Sequence, residues 1–410
     1  MGYISSISIK AGRLLNLSKF YRLLNSIGLE KGLAYVSLGN AVYIALSAIL
    51  WLYLASQLDP TAYGKINYEV SVVTILTSIG IMGFDTTIPA LVARGTLKVE
   101  QESISLILLS TITISIILVV IFNSISMAVL LTGMLFFTWV SVDYLGKHEF
   151  KNYMIIMALQ RGLSLASVPL LYSMFSIDGA IYGWGISYLV LSAPFFKMIK
   201  KFTLTFFTVV KIKSYFIHAY ILGIAKALPY FIDKVIIMPL FGASTVGYYQ
   251  LGIQISMVTY IIPVVLYSYL LPKQAAGNED LTKVKWLGLF ASIFLTLLLF
   301  FTLPYIVVNY FPNFEEGVTA ARITVFSSIP ISISSIYNSN FMAKGKSRPV
   351  VIGIGIFVSI QFFLIIYLGN IFYLSGISLA TVIASSAQCL YLYRRGSLDP
   401  KLTDDGYGRK

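Results

Sequence analysis

Residues 103–122 read SISLILLSTITISIILVVIF, twenty positions without a single charge. After Asn123 and Ser124 a second run follows, ISMAVLLTGMLFFTWVSVDYL at 125–145, and its only charge is Asp143. A helix needs about 20 apolar residues to cross the hydrocarbon core of a bilayer, so each run has the length of one crossing. In lipid the backbone must satisfy its own hydrogen bonds, which makes these runs helices. The connection through Asn123 is so tight that the two helices must be antiparallel neighbours.

The same pattern continues outward in both directions. Spans are expected at 33–57, 66–93, 103–122, 125–145, 153–175, 179–196, 216–241, 248–271, 286–308, 319–342, 349–368 and 372–393. The turn between the last two, near Gly369 and Asn370, is expected to be as tight as the one at Asn123. Composition agrees: of 410 residues 57% are hydrophobic and 11% charged, whereas soluble domains carry about 25% charged residues to keep their surface wet. The fold class is therefore an all-α integral membrane protein of about twelve spans.

Net charge is +13, which in a soluble chain would suggest nucleic acid. Here 25 of the 30 Lys and Arg fall in segments on the side of the N-terminus, such as Lys147 and Lys151 or Lys344, Lys346 and Arg348. The opposite side holds only Lys65 and Arg322, both at span edges. By the positive-inside rule both termini are cytoplasmic and the chain is a multi-pass protein of the cytoplasmic membrane, with no nucleic-acid partner. Residues 1–32 are basic with interleaved Leu, Phe and Tyr, which suits an interfacial segment on anionic membrane lipid. They do not read as a cleaved signal peptide, because the first apolar run is of spanning length. The expected organisation is this segment, a first half over 33–196, a basic linker at 197–215, a second half over 216–393, and a cytoplasmic tail at 394–410.

The two halves look related. Asp59-Pro60-Thr61-Ala62-Tyr63-Gly64 follows the first span, and Gly242-Ala243-Ser244-Thr245-Val246-Gly247 follows the seventh, 183 residues on. Asp178-Gly179-Ala180-Ile181-Tyr182-Gly183 opens the sixth span, and Leu374-Ser375-Gly376-Ile377-Ser378-Leu379 opens the twelfth, 197 residues on. Six spans per half is an even number, so the repeat is parallel: two six-helix lobes in the same orientation.

Together with Leu58-Asp59-Pro60-Thr61-Ala62-Tyr63-Gly64, further motifs are Gly80-Ile81-Met82-Gly83-Phe84-Asp85, Asp233-Lys234, Val246-Gly247-Tyr248-Tyr249 and Ala343-Lys344-Gly345-Lys346. In their order and spacing, from about Leu33 to Tyr393, the chain resembles the polysaccharide-export branch, the Wzx-type flippases, of the multidrug/oligosaccharidyl-lipid/polysaccharide (MOP) exporter superfamily. The resemblance implies two lobes around a cavity that opens alternately to each side. The cargo it implies is a polyprenyl-(pyro)phosphate-linked glycan, with glycan assembly proteins as further partners.

Three cations lie within spans: Arg161, Lys226 and Lys234. Each costs about 2.5–3.5 kcal/mol at a helix centre on insertion scales, so each needs a partner, a wet cavity or a function. Arg161 and Lys226 both lie ten residues past the cytoplasmic end of their span, about 15 Å deep at 1.5 Å per residue. One comes from each half, as an anionic phosphate held between the halves would require. The alternative is a structural role, with each cation paired to a carboxylate or snorkelling.

Asp85, at a similar depth in the second span, fits a counter-charge for such a cation, a proton or ion site, or a polar break before Pro89. Asp233 is seven residues from Lys226 and shares its helix face, so it is expected on the same cavity-lining stripe. Asp233 and Lys234 are neighbours about 100° apart on a helix, which is expected to keep them from facing each other and to send Lys234 to the outer interface. The serines of span 10 (Ser327, Ser328, Ser332, Ser334 and Ser335) suit either sugar binding or helix packing, with packing preferred. Asn40, Tyr43 and Ser47 in the first span carry the same two readings.

No cofactor or metal is expected. Gly345-Lys346-Ser347 ends like a phosphate-binding loop, but Asn340 stands where its leading Gly belongs. The two histidines, His148 and His218, lie at span ends, and there is no HExxH motif or cysteine cluster around the lone Cys389. A transporter is expected rather than an enzyme. A drug/ion antiporter of the same superfamily is the alternative, although the first span has no ionisable residue. A membrane glycosyltransferase or polymerase would need outward carboxylates, and Glu315-Glu316 is the only adjacent outward acidic pair.

Overall fold

The computed structural model describes residues 31–95, 97–203, 205–277 and 281–397. Most of the basic segment expected at 1–32, and the tail beyond 397, lie outside the described residues. Within them every regular element is helical. Seven helices are long and apolar enough to cross a membrane, or nine if two bent pairs each count as one. The chain is an all-α, multi-pass membrane protein.

Helix α1 (Lys31–Gln57) leads into α2 (Pro60–Gly80) across a built N-terminus: Asp59 Oδ1 accepts the Ala62 amide at 2.6 Å, and Pro60 fills the first turn. An aspartate cap followed by proline is the chemistry that starts helices. Met82 (φ 53°) and Gly83 (φ 77°) then take left-handed conformations. They end α2 and tilt α3 (Phe84–Val92) by 44°. Helices α4 (Leu97–Phe122) and α5 (Ile125–Gly146) form the antiparallel pair expected from the tight turn, with Asn123 at φ 49°. Trp139 Nε1 donates across that pair to Ser103 Oγ at 2.9 Å.

Two very long helices are each a hairpin. Helix α6 (Phe150–Leu191) is interrupted at Phe175 and Ser176, where Ser176 has φ 54° and ψ −134°. Gln160 then bonds Ser187 at 3.0 Å and Ser167 bonds the Gly183 carbonyl at 2.8 Å, so the two arms run antiparallel. The last helix, Ser347–Ser397, is interrupted at Tyr373 with φ 50° and ψ −127°. Ser176 and Tyr373 are 197 residues apart. The images continue beyond the turn, since a Cβ on Gly179 would overlap the Leu171 carbonyl and one on Gly376 the Leu368 carbonyl. The second repeat spacing is thus present in the backbone.

Tyr373 also corrects the expected position of that turn. The helix runs straight through Gly369 and Asn370. Gly369 is used for packing instead, with room for Phe241 Cζ at 2.6 Å from where a Cβ would stand. Tyr373 takes the left-handed position and its hydroxyl is held by Thr245 Oγ1 at 2.6 Å.

After α6 comes a stretch with α7 (Ala193–Met198), a short 3-10 turn (Ile199–Lys201) and α8 (Phe207–Lys211), which includes the linker expected at 197–215. It is tied to α4, where Glu102 Oε2 accepts the Val209 amide at 2.9 Å and Ser105 Oγ the Thr203 amide at 2.9 Å. The second half then runs α9 (Lys213–Phe241), α10 (Ala243–Ser256), α11 (Ile261–Ala275), α12 (Thr282–Tyr310), a 3-10 turn (Pro312–Gly317), α13 (Val318–Val325), α14 (Ser328–Ala343) and α15 (Ser347–Ser397). Helices α10 and α11 meet at a 50° bend.

The span-10 serines pack helices together. Ser332 bonds Ser292 at 2.9 Å and Ser328 bonds Thr296 at 2.6 Å, joining α14 to α12, and Ser327 bonds Tyr260 at 2.7 Å. Ser327, Ser328 and Ser332 are fully buried. Small hydroxyl residues allow close helix approach in lipid, which is the packing role preferred from sequence.

Candidate functional site

The three intramembrane cations have three different surroundings. Arg161, on the first arm of α6, lies over the Tyr43 ring at 4.1 Å from guanidinium carbon to ring centroid. Its Nη2 donates to the Tyr43 hydroxyl, which is 3.2 Å from that of Tyr188. A guanidinium is weakly hydrated and stacks on aromatic faces, so two tyrosines can hold it without a carboxylate. Its Nε is buried with no hydrogen-bond partner among the described residues. Neighbouring Asn40 accepts from the Tyr153 hydroxyl at 2.9 Å. Asn40 and Tyr43 of α1 thus pair with the two arms of α6.

Lys234 turns back on its own helix. Its Nζ is 2.8 Å from Asp233 Oδ1 and donates to the Tyr230 carbonyl at 2.6 Å. Asp233 Oδ1 also accepts the Lys234 amide at 2.8 Å. Both residues are only 3% exposed. Two expectations are corrected here: the neighbours do face each other, and Lys234 does not reach the outer interface. The 100° between their Cα–Cβ bonds fixes where the side chains begin, and a four-carbon stem bends across that angle to bring an ammonium to a carboxylate. Asp233 further engages Tyr249, whose hydroxyl is 2.9 Å from Thr381 Oγ1. It is therefore spent on a buried network and does not line a stripe with Lys226, which is the third correction.

Lys226 differs from both. It is exposed, and among the described residues it forms no hydrogen bond or ion pair. The charge that acts across on it is Asp85, from the other half of the chain. Asp85 sits in the first turn of α3, where the left-handed Gly83 starts the helix against Ala219 and Tyr220 of α9. Phe84 packs on Phe216, ring centroids 5.1 Å apart. Asp85 then looks onto Gly223, and a Cβ there would be 3.8 Å from Oδ1. That Oδ1 is buried and unpartnered. The structure thus brings Asp85 and Lys226 towards each other, holds Asp233 with Lys234, and keeps Arg161 among tyrosines of the first half.

One acid in the second span was not singled out from the sequence. Glu69 on α2 has a buried, unpartnered Oε2 and feels the charges of Asp178 and Lys65. The signal was present, a carboxylate inside an expected span, but its neighbour Asp178 is over a hundred residues away. Asp178 in turn accepts from Ser126 Oγ at 2.6 Å and lines a hollow of about 350 Å³ with Phe175 and Tyr182. At the basic end of the first half, Lys147 bridges Glu100 at 3.0 Å and Asp143 at 2.7 Å. Burial lowers the Lys147 pKa, but the bonds and charges of Asp143 and Glu100 outweigh this and leave it raised above the ordinary lysine value. No group of His, Cys, Asp and Glu among the described residues is arranged to hold a metal.

Residues 29–128 match the family described as polysaccharide biosynthesis protein. No curated protein matches the chain. Among solved structures, the lipid II flippase MurJ in an inward closed conformation is similar with a TM-score of 0.72 at 13% identity, over 88% of this chain and 87% of that one. An inward-facing multidrug resistance MATE family transporter of the MOP superfamily is similar with a TM-score of 0.68 at 16% identity, over 92% of this chain and all of that one. A MOP superfamily transporter from Pyrococcus furiosus follows with a TM-score of 0.62 at 14% identity, over 91% and 96%. The chain has the fold of the MOP superfamily.

Proposed function

We propose that this protein is a flippase of the polysaccharide-export type, crossing the cytoplasmic membrane twelve times in two six-helix lobes with both termini in the cytoplasm. Its cargo is a polyprenyl-(pyro)phosphate-linked oligosaccharide, carried by alternating access with the headgroup in the cavity and the lipid chain in the bilayer. The observation that supports this reading best is the state of Lys226. It is an intramembrane cation left without a bonded partner among the described residues, its charge felt by a carboxylate of the opposite half, while Lys234 and Arg161 are both held. An ammonium in a low-dielectric cavity binds a phosphate oxygen through a charge-assisted bond, stronger there than in water. Arg161, with its unpartnered Nε, is the second phosphate ligand from the first half, and Asp85 is the counter-charge for Lys226 when cargo is absent. Asp233 serves the site by neutralising Lys234. The matches to a lipid II flippase and to a polysaccharide family profile support the cargo class.

Deleting the gene in its host should leave lipid-linked glycan in the inner leaflet, and an unchanged leaflet distribution would remove the cargo assignment. The antiporter reading draws on the likeness to MATE transporters. It is tested by loading vesicles with an organic cation under a pH or sodium gradient, where gradient-driven efflux would favour it over the flippase.

A further inference from the structure

The first turns of α2 and α10 pack against each other at the end of the bundle that is poor in lysine and arginine, the outer end by charge distribution. A Cβ added to Gly64 would overlap the Ala243 carbonyl oxygen and stand 2.8 Å from the Gly247 nitrogen. A Cβ added to Gly247 would overlap the Pro60 carbonyl oxygen and stand 3.0 Å from Pro60 Cα. Gly64 and Gly247 are 183 residues apart, and so are Pro60 and Ala243. Each contact is the image of the other, the self-complementary arrangement of a two-fold interface, here formed within one chain. Around it Phe314 lies with its ring centroid 5.5 Å from that of Tyr63 and 6.1 Å from that of Tyr248. Tyr63 is fully buried and Phe314 nearly so.

Deeper in the bundle, at the bend between α2 and α3, the contact is different. There Gly83 of α3 meets the backbone of Tyr220 in α9, but the residue 183 positions on, Leu266, packs against Gly288 within its own half. The two-fold contact is a property of the outer end.

We propose that Gly64 and Gly247 form a backbone-to-backbone lock that holds the two halves together at the outer end, and that parting this lock is what opens the molecule on that side. The proposal rests on the alternating-access reading for the motion and not on any cargo. The physical basis is the steepness of dispersion: atoms in contact lose a quarter to a half of their attraction over a gap of about 0.5–1 Å. A contact made wholly of backbone at two glycines is therefore complete when closed and already a quarter to a half lost once the helices part by about 1 Å. No side chain can bend to keep it partly made. That is the behaviour of a two-state element, and any side chain at either position holds it apart.

The experiment uses the full-length protein in lipid nanodiscs without cargo. Nitroxide labels are placed at Asn123 and Asn313, exposed positions of the two halves at that end, and their separation is read by pulsed electron spin resonance. Gly64→Ala and Gly247→Ala should each convert a short-distance population into a predominantly long one. Gly162→Ala, where a Cβ meets open space, should leave the distribution as in the parent. Phe314→Ala removes the ring packed on Tyr63 and Tyr248 without inserting anything and should shift the distribution the same way by a smaller amount. It decides the matter if the glycine variants fail to fold. A parental distribution in any folded Gly64, Gly247 or Phe314 variant overturns the lock while leaving the cargo assignment standing. Conversely, loss of the cargo assignment leaves these distances unaffected.

Discussion

Lys226 and Lys234 lie eight residues apart on one helix, inside one apolar run, and they behave as opposites. Lys234 is 3% exposed, with its ammonium on a carboxylate and a carbonyl of the preceding turn. Lys226 is exposed, has no bonded partner among the described residues, and acts through its charge on Asp85 of the other half. Both lie inside the same expected span, and that alone decides neither. What separates them is the company each keeps. A cation neutralised at 2.8 Å by its own helix is part of the fold, whereas one left to a carboxylate across the seam is free to exchange it for another anion.

The comparison is broken most forcefully at Lys234. Lys234→Ala leaves Asp233 charged and buried, and losing one partner of such a pair costs about 3–5 kcal/mol. The folded yield in detergent should collapse. The double variant Asp233→Leu with Lys234→Met should recover much of it, because well-packed apolar pairs replace buried ion pairs with little loss. A Lys234→Ala protein of parental melting temperature would mean that the pair contributes nothing to the fold.

A smaller loss is expected at Lys147. Lys147→Met leaves Glu100 and Asp143, 3% and 8% exposed, without their hydrogen-bonded cation, and an orphaned buried acceptor costs about 1–3 kcal/mol. Thermal unfolding should show a loss between that of Lys234→Ala and that of Lys226→Ala. Arg161→Lys keeps the charge but loses the planar stack on Tyr43, worth roughly 0.5–2 kcal/mol, and should lower stability slightly while weakening phosphate-lipid binding. Unchanged binding would place Arg161 among purely structural residues. The least change in stability belongs to Lys226→Ala. A side chain with no bonded partner has little to lose, and a shift within about 0.5 kcal/mol is expected, as at ordinary surface positions.

Much of the fold was legible. Uninterrupted apolar runs fixed the helices, and Asn123 in a two-residue gap fixed the first tight turn. The turn expected at Gly369 and Asn370 went instead to Tyr373, because local turn preference is overridden when a glycine is needed for a close approach to Phe241 and a tyrosine hydroxyl finds Thr245. The charges were legible as positions but not as pairs. Asp85 and Lys226 are joined by tertiary packing through Gly83 and Gly223, and Glu69 is set beside Asp178 by the return of the sixth span; neither encounter leaves a mark in local sequence. The Asp233–Lys234 pair was misjudged for a simpler reason. Helical periodicity treats side chains as rigid spokes, and lysine is not one.

The central claim is that Lys226 binds the cargo phosphate, and transport per folded molecule tests it most directly. Lys226→Ala, Lys226→Arg and the parent are purified, matched for folded protein, and reconstituted into vesicles containing a phosphate-bearing polyprenyl lipid. Movement of that lipid between leaflets is then measured. Lys226→Ala should lose flipping with its melting temperature preserved, and Lys226→Arg should keep part of it because charge survives while donor geometry changes. Flipping by Lys226→Ala at the parental rate per folded molecule would contradict the assignment.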